Sequence, residues 1–428
     1  MTDTMITQMP KYESYKESGE QWIDKVPSHW EIVKLKHLFY EKKHRQNMSL
    51  SCGAISFGHV IQKDDSKTPL STKASYQEVL RGEFLINPLN LNYDLKSLRI
   101  GLSYIDVVVS AGYIVLKERS EIDKEYFKFL LHRYDVAYMK LLGSGVRQTI
   151  NFNHIANSLL ALPPLDEQKR ISSFLNKKTA QIDEAIAIKQ KQIELLKERK
   201  QIIIQQAVTQ GLNPDAPMKD SGVDWIGEIP EHWGIVRFKN LFTQSRLPVR
   251  KGDGVVTSYR DGQVTLRSNR RVGGYTEAIL EGGYQGIRKG QLVLNSMDAF
   301  EGAIGVSDSD GKCTPEYVIC DPINSVDVSQ YYFAYLLREM ALAKYIQVIC
   351  NAVRQRAVRI RYNNLAPLFM VVPPVKEQED IVSFIEKEST KLDAGTKHLN
   401  EQISKLKEYK TTLINSVVTG KIKVTELA

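Results

Sequence analysis

Twice in this chain a Pro-Pro-x-x-Glu-Gln turn runs into a long charged helix pattern, and this repeat constrains the fold more than any other feature. The first copy is Pro163-Pro164-Leu165-Asp166-Glu167-Gln168; the second, Pro373-Pro374-Val375-Lys376-Glu377-Gln378, lies 210 positions later. The prolines end the preceding segment, and carboxylates in a first helical turn suit the positive end of the helix dipole. After the first turn Ile171, Leu175, Lys178, Ile182, Ile186, Lys189, Ile193, Leu196, Lys200, Ile203 and Ala207 follow steps of three and four. After the second, Ile381, Ile385, Glu388, Leu392, Thr396, Leu399, Ile403, Leu406, Lys410, Leu413 and Val417 keep the same register. This is a heptad seam. The helix from Asp166 to Thr209 would span roughly 66 Å, with a break expected, if anywhere, near Asn176–Thr179, where Lys178 and Thr179 interrupt the stripe. One helix cannot bury so narrow a stripe by itself. The simplest partner for each helix is the other, antiparallel, through Ile182, Ile186, Ile193, Leu196, Leu392, Leu399, Ile403 and Leu406.

A second repeat frames the first. Lys16-Glu17-Ser18-Gly19, Trp22-Ile23 and Pro27-Ser28-His29-Trp30 return at an offset of 203 as Lys219-Asp220-Ser221-Gly222, Trp225-Ile226 and Pro230-Glu231-His232-Trp233. All four tryptophans of the chain sit in these opening motifs. The rings read as large apolar anchors, and His29 and His232 as hydrogen-bonded wall residues rather than ligands. Between opening and closing motifs the halves are only weakly alike. Each reads as short strands (Phe84–Ile86, Val107–Val109 and Tyr113–Leu116; then Val255–Ser258, Leu292–Leu294 and Tyr317–Cys320) plus a helix near Lys124–Leu142 or Ser329–Val348.

The predicted fold class is α+β: two similar domains, each followed by a long helix, the two helices pairing as an antiparallel coiled coil. The expected divisions are an N-terminal segment (1–21), a first domain (22–165), a central helix (166–211), a linker with Pro214 and Pro217 (212–224), a second domain (225–375) and a C-terminal helix and tail (376–428).

Net charge is +8 and the pI about 9, which makes a polyanionic partner plausible. Cys52, Cys313, Cys320 and Cys350 form no CxxC pair and no zinc spacing, and read as thiols in a reducing cytoplasm. The first 30 residues have no signal-peptide core, and no apolar run is long enough for a membrane span. Motifs for catalysis are scarce. Gly305 to Gly311-Lys312 has the wrong spacing for a phosphate loop and Cys313 in place of Ser/Thr, and Asn87-Pro88-Leu89-Asn90 only faintly resembles an amino-methyltransferase motif.

Basic and amide side chains do cluster. From Arg246 to Arg271 there are seven Lys/Arg against two Asp, including Arg260, Arg267, Arg270 and Arg271. Arg354, Gln355 and Arg356 open a run holding four arginines in eight residues, to Arg361. In the first half Arg147, Gln148, Thr149, Asn151 and Asn153 alternate with Ile150 and Phe152, as a strand or loop edge would. Arg, Gln and Asn can read base edges, and Lys and Arg also neutralise phosphates. Of these, Arg147, Gln148, Asn151, Arg260, Arg267, Arg270, Arg271, Arg354, Gln355 and Arg356 are the nominated DNA contacts; no catalytic and no metal-ligating residue is nominated.

The whole pattern, with Asp224-Trp225-Ile226-Gly227-Glu228-Ile229-Pro230-Glu231-His232-Trp233 opening the second half, resembles the specificity subunits of type I restriction–modification systems. One departure is Ala207-Val208-Thr209-Gln210-Gly211, whose second copy, Val417-Val418-Thr419-Gly420, lacks the extra Gln. The resemblance implies two target-recognition domains, each reading one half of an asymmetric bipartite site in double-stranded DNA, with the helices setting the spacer. It implies docking of two modification subunits, which bind S-adenosylmethionine, and of a restriction subunit using ATP and Mg. No cofactor is expected on this chain, which would itself be non-catalytic and cytoplasmic. Two rivals are a coiled-coil adaptor that binds only proteins and a fused methyltransferase–nuclease.

Overall fold

The computed structural model describes residues 8–89, 98–142, 149–270, 283–323, 327–350 and 359–425. The chain divides into two units, Met1–Gln190 with Asn400–Ala428, and Lys191–Leu399. Each long helix is therefore shared between them.

The first unit holds a four-stranded antiparallel sheet ordered Phe39–Glu41, Ile114–Glu118, Phe84–Ile86, Ile100–Leu102. The second repeats that order with Phe242–Gln244, Tyr317–Pro322, Leu292–Asn295 and Ile304–Val306. Some strands are short, uninterrupted apolar runs: Phe84–Ile86 and Val107–Val109 are buried at every position. β-branched and aromatic side chains favour such strands. Smaller ladders complete each unit. In the first, Glu31–Lys34 pairs with Leu159–Leu162 and Gly53–Ser56 with His59–Gln62. In the second, Gly234–Arg237 pairs with Phe369–Val372 and Val256–Ser258 with Val264–Leu266. The strands expected from sequence are all present. The two helices between them are shorter than expected: Lys124–Ala137, then a 3-10 turn at Met139–Leu141, and Gln330–Leu342, then Tyr345–Ile349. The second is broken at Lys344, whose φ of 62° lies in the left-handed region.

The long helices run Leu165–Gln210 and Val375–Val418. The first passes through Asn176–Thr179 without a break. Thr179 is buried there, and its hydroxyl donates to the carbonyl of Asn176 at 3.3 Å, so the polar step is absorbed inside the helix. Within each unit the helix halves pair antiparallel. In the first, Lys410 Nζ meets Asp183 at 2.7 Å and Lys189 Nζ donates to Gln402 Oε1 at 2.6 Å. In the second, Lys200 Nζ meets Asp393 at 2.8 Å, and Gly395 lies against Leu196. Lys200 and Lys410, like Asp183 and Asp393, are 210 apart, so the same ion pair is made in each unit. Ile182, Ile186, Ile193 and Ile403 are buried in the seam; Leu196, Leu392, Leu399 and Leu406 are half-buried. At the next turn Ile204 is buried while Ile203 is only partly covered.

One anchor in the second unit joins helix and domain through a buried carboxyl. Gln201 Nε2 donates to both oxygens of Glu339, at 2.7 and 2.6 Å. Burial pushes the Glu339 carboxyl up to about 7, against hydrogen bonding from Gln201. A raised carboxyl pKa means that the folded form holds the proton more tightly than the unfolded one. The contribution is therefore fully present below the ordinary glutamate range and is lost as pH rises to about 7. Between pH 5 and 8 the second unit should lose roughly 3 kcal/mol of stability from this group. Denaturant titrations of Glu339→Gln should show a flatter pH profile over that range; an unchanged slope would remove Glu339 as the source.

Candidate nucleic-acid interface

The closing motif is a clamp. Glu167 accepts from His29 Nε2 at 2.9 Å and Glu377 accepts from His232 Nε2 at 2.8 Å, tying each long helix to the opening motif of its own repeat. The following glutamine works in both directions. Gln168 Oε1 accepts from the Asp123 backbone N–H at 2.9 Å while its Nε2 donates to the Pro163 carbonyl at 2.8 Å. Gln378 does the same with Ser329 and Pro373, each at 2.8 Å. Asp123 and Ser329 are the N-caps of the helices Lys124–Ala137 and Gln330–Leu342. One buried glutamine thus closes the Pro-Pro turn and fixes the start of the domain helix. The sequence assigned these carboxylates only to the helix dipole.

The far end of each helix is held as well. The Tyr126 hydroxyl is shared between the carbonyls of Ala161 and Val418, at 3.2 and 3.3 Å, in the first unit; Tyr332 donates to the Val208 carbonyl at 2.9 Å in the second. Gly211 and Gly420 end the helices at φ of 78° and 72° and lie against Trp233 and Trp30 respectively. The missing Gln in the second copy leaves this cap intact. Trp30 and Trp233 are buried to 0% and 1% exposure, as the anchor reading expected.

On this repeated frame the surfaces differ. The hairpin Gly53–Ser56/His59–Gln62 of the first unit turns through Phe57, which is 76% exposed. Its counterpart Val256–Ser258/Val264–Leu266 carries Tyr259, Arg260 and Asp261 in its loop. Arg260 reaches Asp298 at 3.1 Å and also pairs with Glu301. Arg270 pairs with Asp261 at 2.8 Å and lies 4.1 Å over the Tyr259 ring. Arg267 Nε donates to Thr257 Oγ1 at 3.2 Å. The structure therefore gathers Arg260, Arg267 and Arg270 at one hairpin, each with a local partner.

Asn151 does not sit on a strand edge. It caps the helix Phe152–Ala156, its Oδ1 accepting from the His154 N–H at 3.3 Å while its own N–H donates to His154 Nδ1 at 3.0 Å. Arg147, Gln148, Arg271, Arg354, Gln355 and Arg356 lie outside the described residues. A second basic cleft was only partly legible as part of the arginine run. It brings Arg246, Arg359 and Arg361 together with Gln244 and Asn363; Arg359 pairs with Glu316 at 2.6 Å, leaving a positive excess suited to a phosphate. Among the described residues no three His, Cys, Asp or Glu side chains group as metal ligands, and no helix is long and apolar enough to cross a membrane. The four cysteines are buried free thiols; burial pushes the Cys313 thiol up to about 12.

Residues 93–198 match the model of the type I restriction modification DNA specificity domain. The chain is 25% identical over 256 residues to the putative type I restriction enzyme MjaX specificity subunit of Methanocaldococcus jannaschii, covering 55% of this chain and 57% of that protein. It is 22% identical over 330 residues to the type I restriction enzyme EcoBI specificity subunit of Escherichia coli, covering 71% and 67%. The matched region thus spans little more than half the length of the first of these relatives. Among solved structures, a chain from a study of complex assembly and conformational transition of the type I R-M system superposes with a TM-score of 0.63 at 15% identity, over 92% of this chain and 98% of that one. The HsdS subunit of Thermoanaerobacter tengcongensis gives 0.51 at 15% identity, over 93% and 98%. Both show the same fold.

Proposed function

We propose, from the match of residues 93–198 to the type I restriction modification DNA specificity domain and from the chain's similarity to specificity subunits of such systems, that it is the sequence-reading subunit of a type I restriction–modification system. Each unit reads one half of an asymmetric, gapped site in double-stranded DNA, and the long helices set the gap. The observation that carries this reading is one frame built twice, with the same Glu–His and Gln clamps, under surfaces that differ. Equal frames give equal docking; unequal surfaces give unequal half-sites. The helices also dock two modification subunits, where S-adenosylmethionine binds and adenine is methylated, and a restriction subunit supplies ATP- and Mg-dependent cleavage. Bond-making then belongs to the partners, in the cytoplasm. The basic cleft of Arg246, Arg359 and Arg361 supplies phosphate contacts, so binding weakens steeply with salt.

The test is a methylome. In a host without adenine methylation, the chain is expressed with its modification subunit and modified adenines are mapped across the genome. One asymmetric gapped motif, absent when this chain is omitted, is the expected result. Methylation that is missing, or indifferent to this chain, would leave the protein-only adaptor as the better reading.

A further inference from the structure

Beside the hairpin of the second unit lies a recess of about 440 Å³ lined by Thr257, Ser258, Tyr259, Arg270, Asn295 and Asp298. Two of its hydroxyl groups are unpartnered. Ser258 is only 3% exposed and its Oγ has no hydrogen-bond partner; the Tyr259 hydroxyl oxygen is buried and likewise unpaired. A buried hydroxyl that has left water without a replacement bond is destabilising, so two in one recess are a feature that a bound polar group would relieve. The other polar atoms there are already engaged. Asn295 Nδ2 donates to Asp298 Oδ2 at 3.1 Å and its Oδ1 accepts from the Met297 N–H at 3.2 Å.

The charge balance says what that group is. Arg260 is matched by Asp298 and Glu301, and Arg270 by Asp261. A phosphate needs unmatched cations, which the Arg246–Arg359–Arg361 cleft has and this recess lacks. Free hydroxyls that can donate or accept, with an aromatic ring beside them and little net charge, suit the polar edge of a nucleobase. We propose that the Ser258 and Tyr259 hydroxyls hydrogen-bond the edge of one DNA base, so that this recess fixes one position of the half-site read by the second unit. This rests on the DNA-reading proposal above, and it names side chains outside the arginine and amide clusters.

The experiment compares methylomes of the wild-type chain, Ser258→Ala, Tyr259→Phe and the double variant, each expressed with the modification subunit, alongside thermal unfolding of each complex. The double variant is expected to keep the gapped motif but relax one position of one half-site, discrimination there falling about 10- to 100-fold. Its melting temperature should equal or exceed that of wild type, because unpaired buried hydroxyls have been removed. If every position keeps its stringency, the recess reads nothing and the proposal is overturned. It is equally overturned if methylation falls evenly at all sites, which marks a structural role. Should the double variant unfold, Tyr259→Phe alone decides: one relaxed position supports the proposal, and unchanged stringency or an even loss of methylation overturns it. A wild-type chain that directs no motif at all sinks the DNA-reading proposal itself, an outcome separate from the others.

Discussion

Replacing Trp233 with alanine destabilises the second unit by about 4 kcal/mol, in the range of a large aromatic removed from a closed core. Trp233 is 1% exposed, meets the Tyr332 ring edge-on at 6.4 Å and supports the helix-ending turn at Gly211. Tyr332 in turn holds the Val208 carbonyl, so the cavity would open where domain and helix end meet. Trp225 makes a useful contrast. It is only partly buried, tilted against Tyr345 at 6.3 Å, and its removal should cost about 1–2 kcal/mol. Denaturant unfolding of both variants checks the pair; equal losses would mean that burial does not rank these two rings.

The second large effect is expected at Gly420. Alanine there must take a left-handed φ of 72°, and its new methyl would stand 2.2 Å from Pro27 Cδ and 2.7 Å from Pro27 Cγ. A proline ring fixed in the strand Lys25–Pro27 cannot swing aside as a flexible side chain would. The tail must move instead, breaking the bond from the Lys423 N–H to the Pro10 carbonyl, 2.8 Å long. The expected loss is about 3 kcal/mol, with faster proteolysis of the C-terminal tail. Gly222→Ala isolates the backbone part, because φ there is 64° with nothing within 4 Å of the added methyl; about 1 kcal/mol is expected. If both alanine variants melt alike, the close approach to Pro27 is not what requires glycine.

What can be read in the sequence is what is periodic and local. The heptad steps place both long helices to within a residue or two, and buried runs such as Phe84–Ile86 place the strands. What escapes depends on residues far apart in the chain. Glu167 and His29 are 138 positions apart, so nothing near the Pro-Pro turn announces a clamp. The ion pair of Arg260 is hidden for the same reason: Asp298, its partner, lies 38 positions on. Alternation alone leaves Asn151 on a strand or loop edge, and does not show that with His154, three residues later, it forms a capping box. The hydroxyls of Ser258 and Tyr259 are invisible for a different reason: being unpartnered is a property of packing, not of residue type.

The sharing of the long helices between units sets the order in which a nascent chain can finish folding. The second unit is continuous, Lys191–Leu399, and every segment it needs has been made when the ribosome reaches its end. The first is not, because Asn400–Ala428 belongs to it: Val418 must reach Tyr126, and Lys423 must reach Pro10. Some 210 residues separate Gln190 from Asn400, a wait of roughly 10–40 s at ordinary rates of synthesis. The half translated first is thus the half completed last. Until the final residues emerge, the apolar seam of its helix and the seat of Tyr126 stand open, and that interval is when the newborn chain most needs shielding from aggregation.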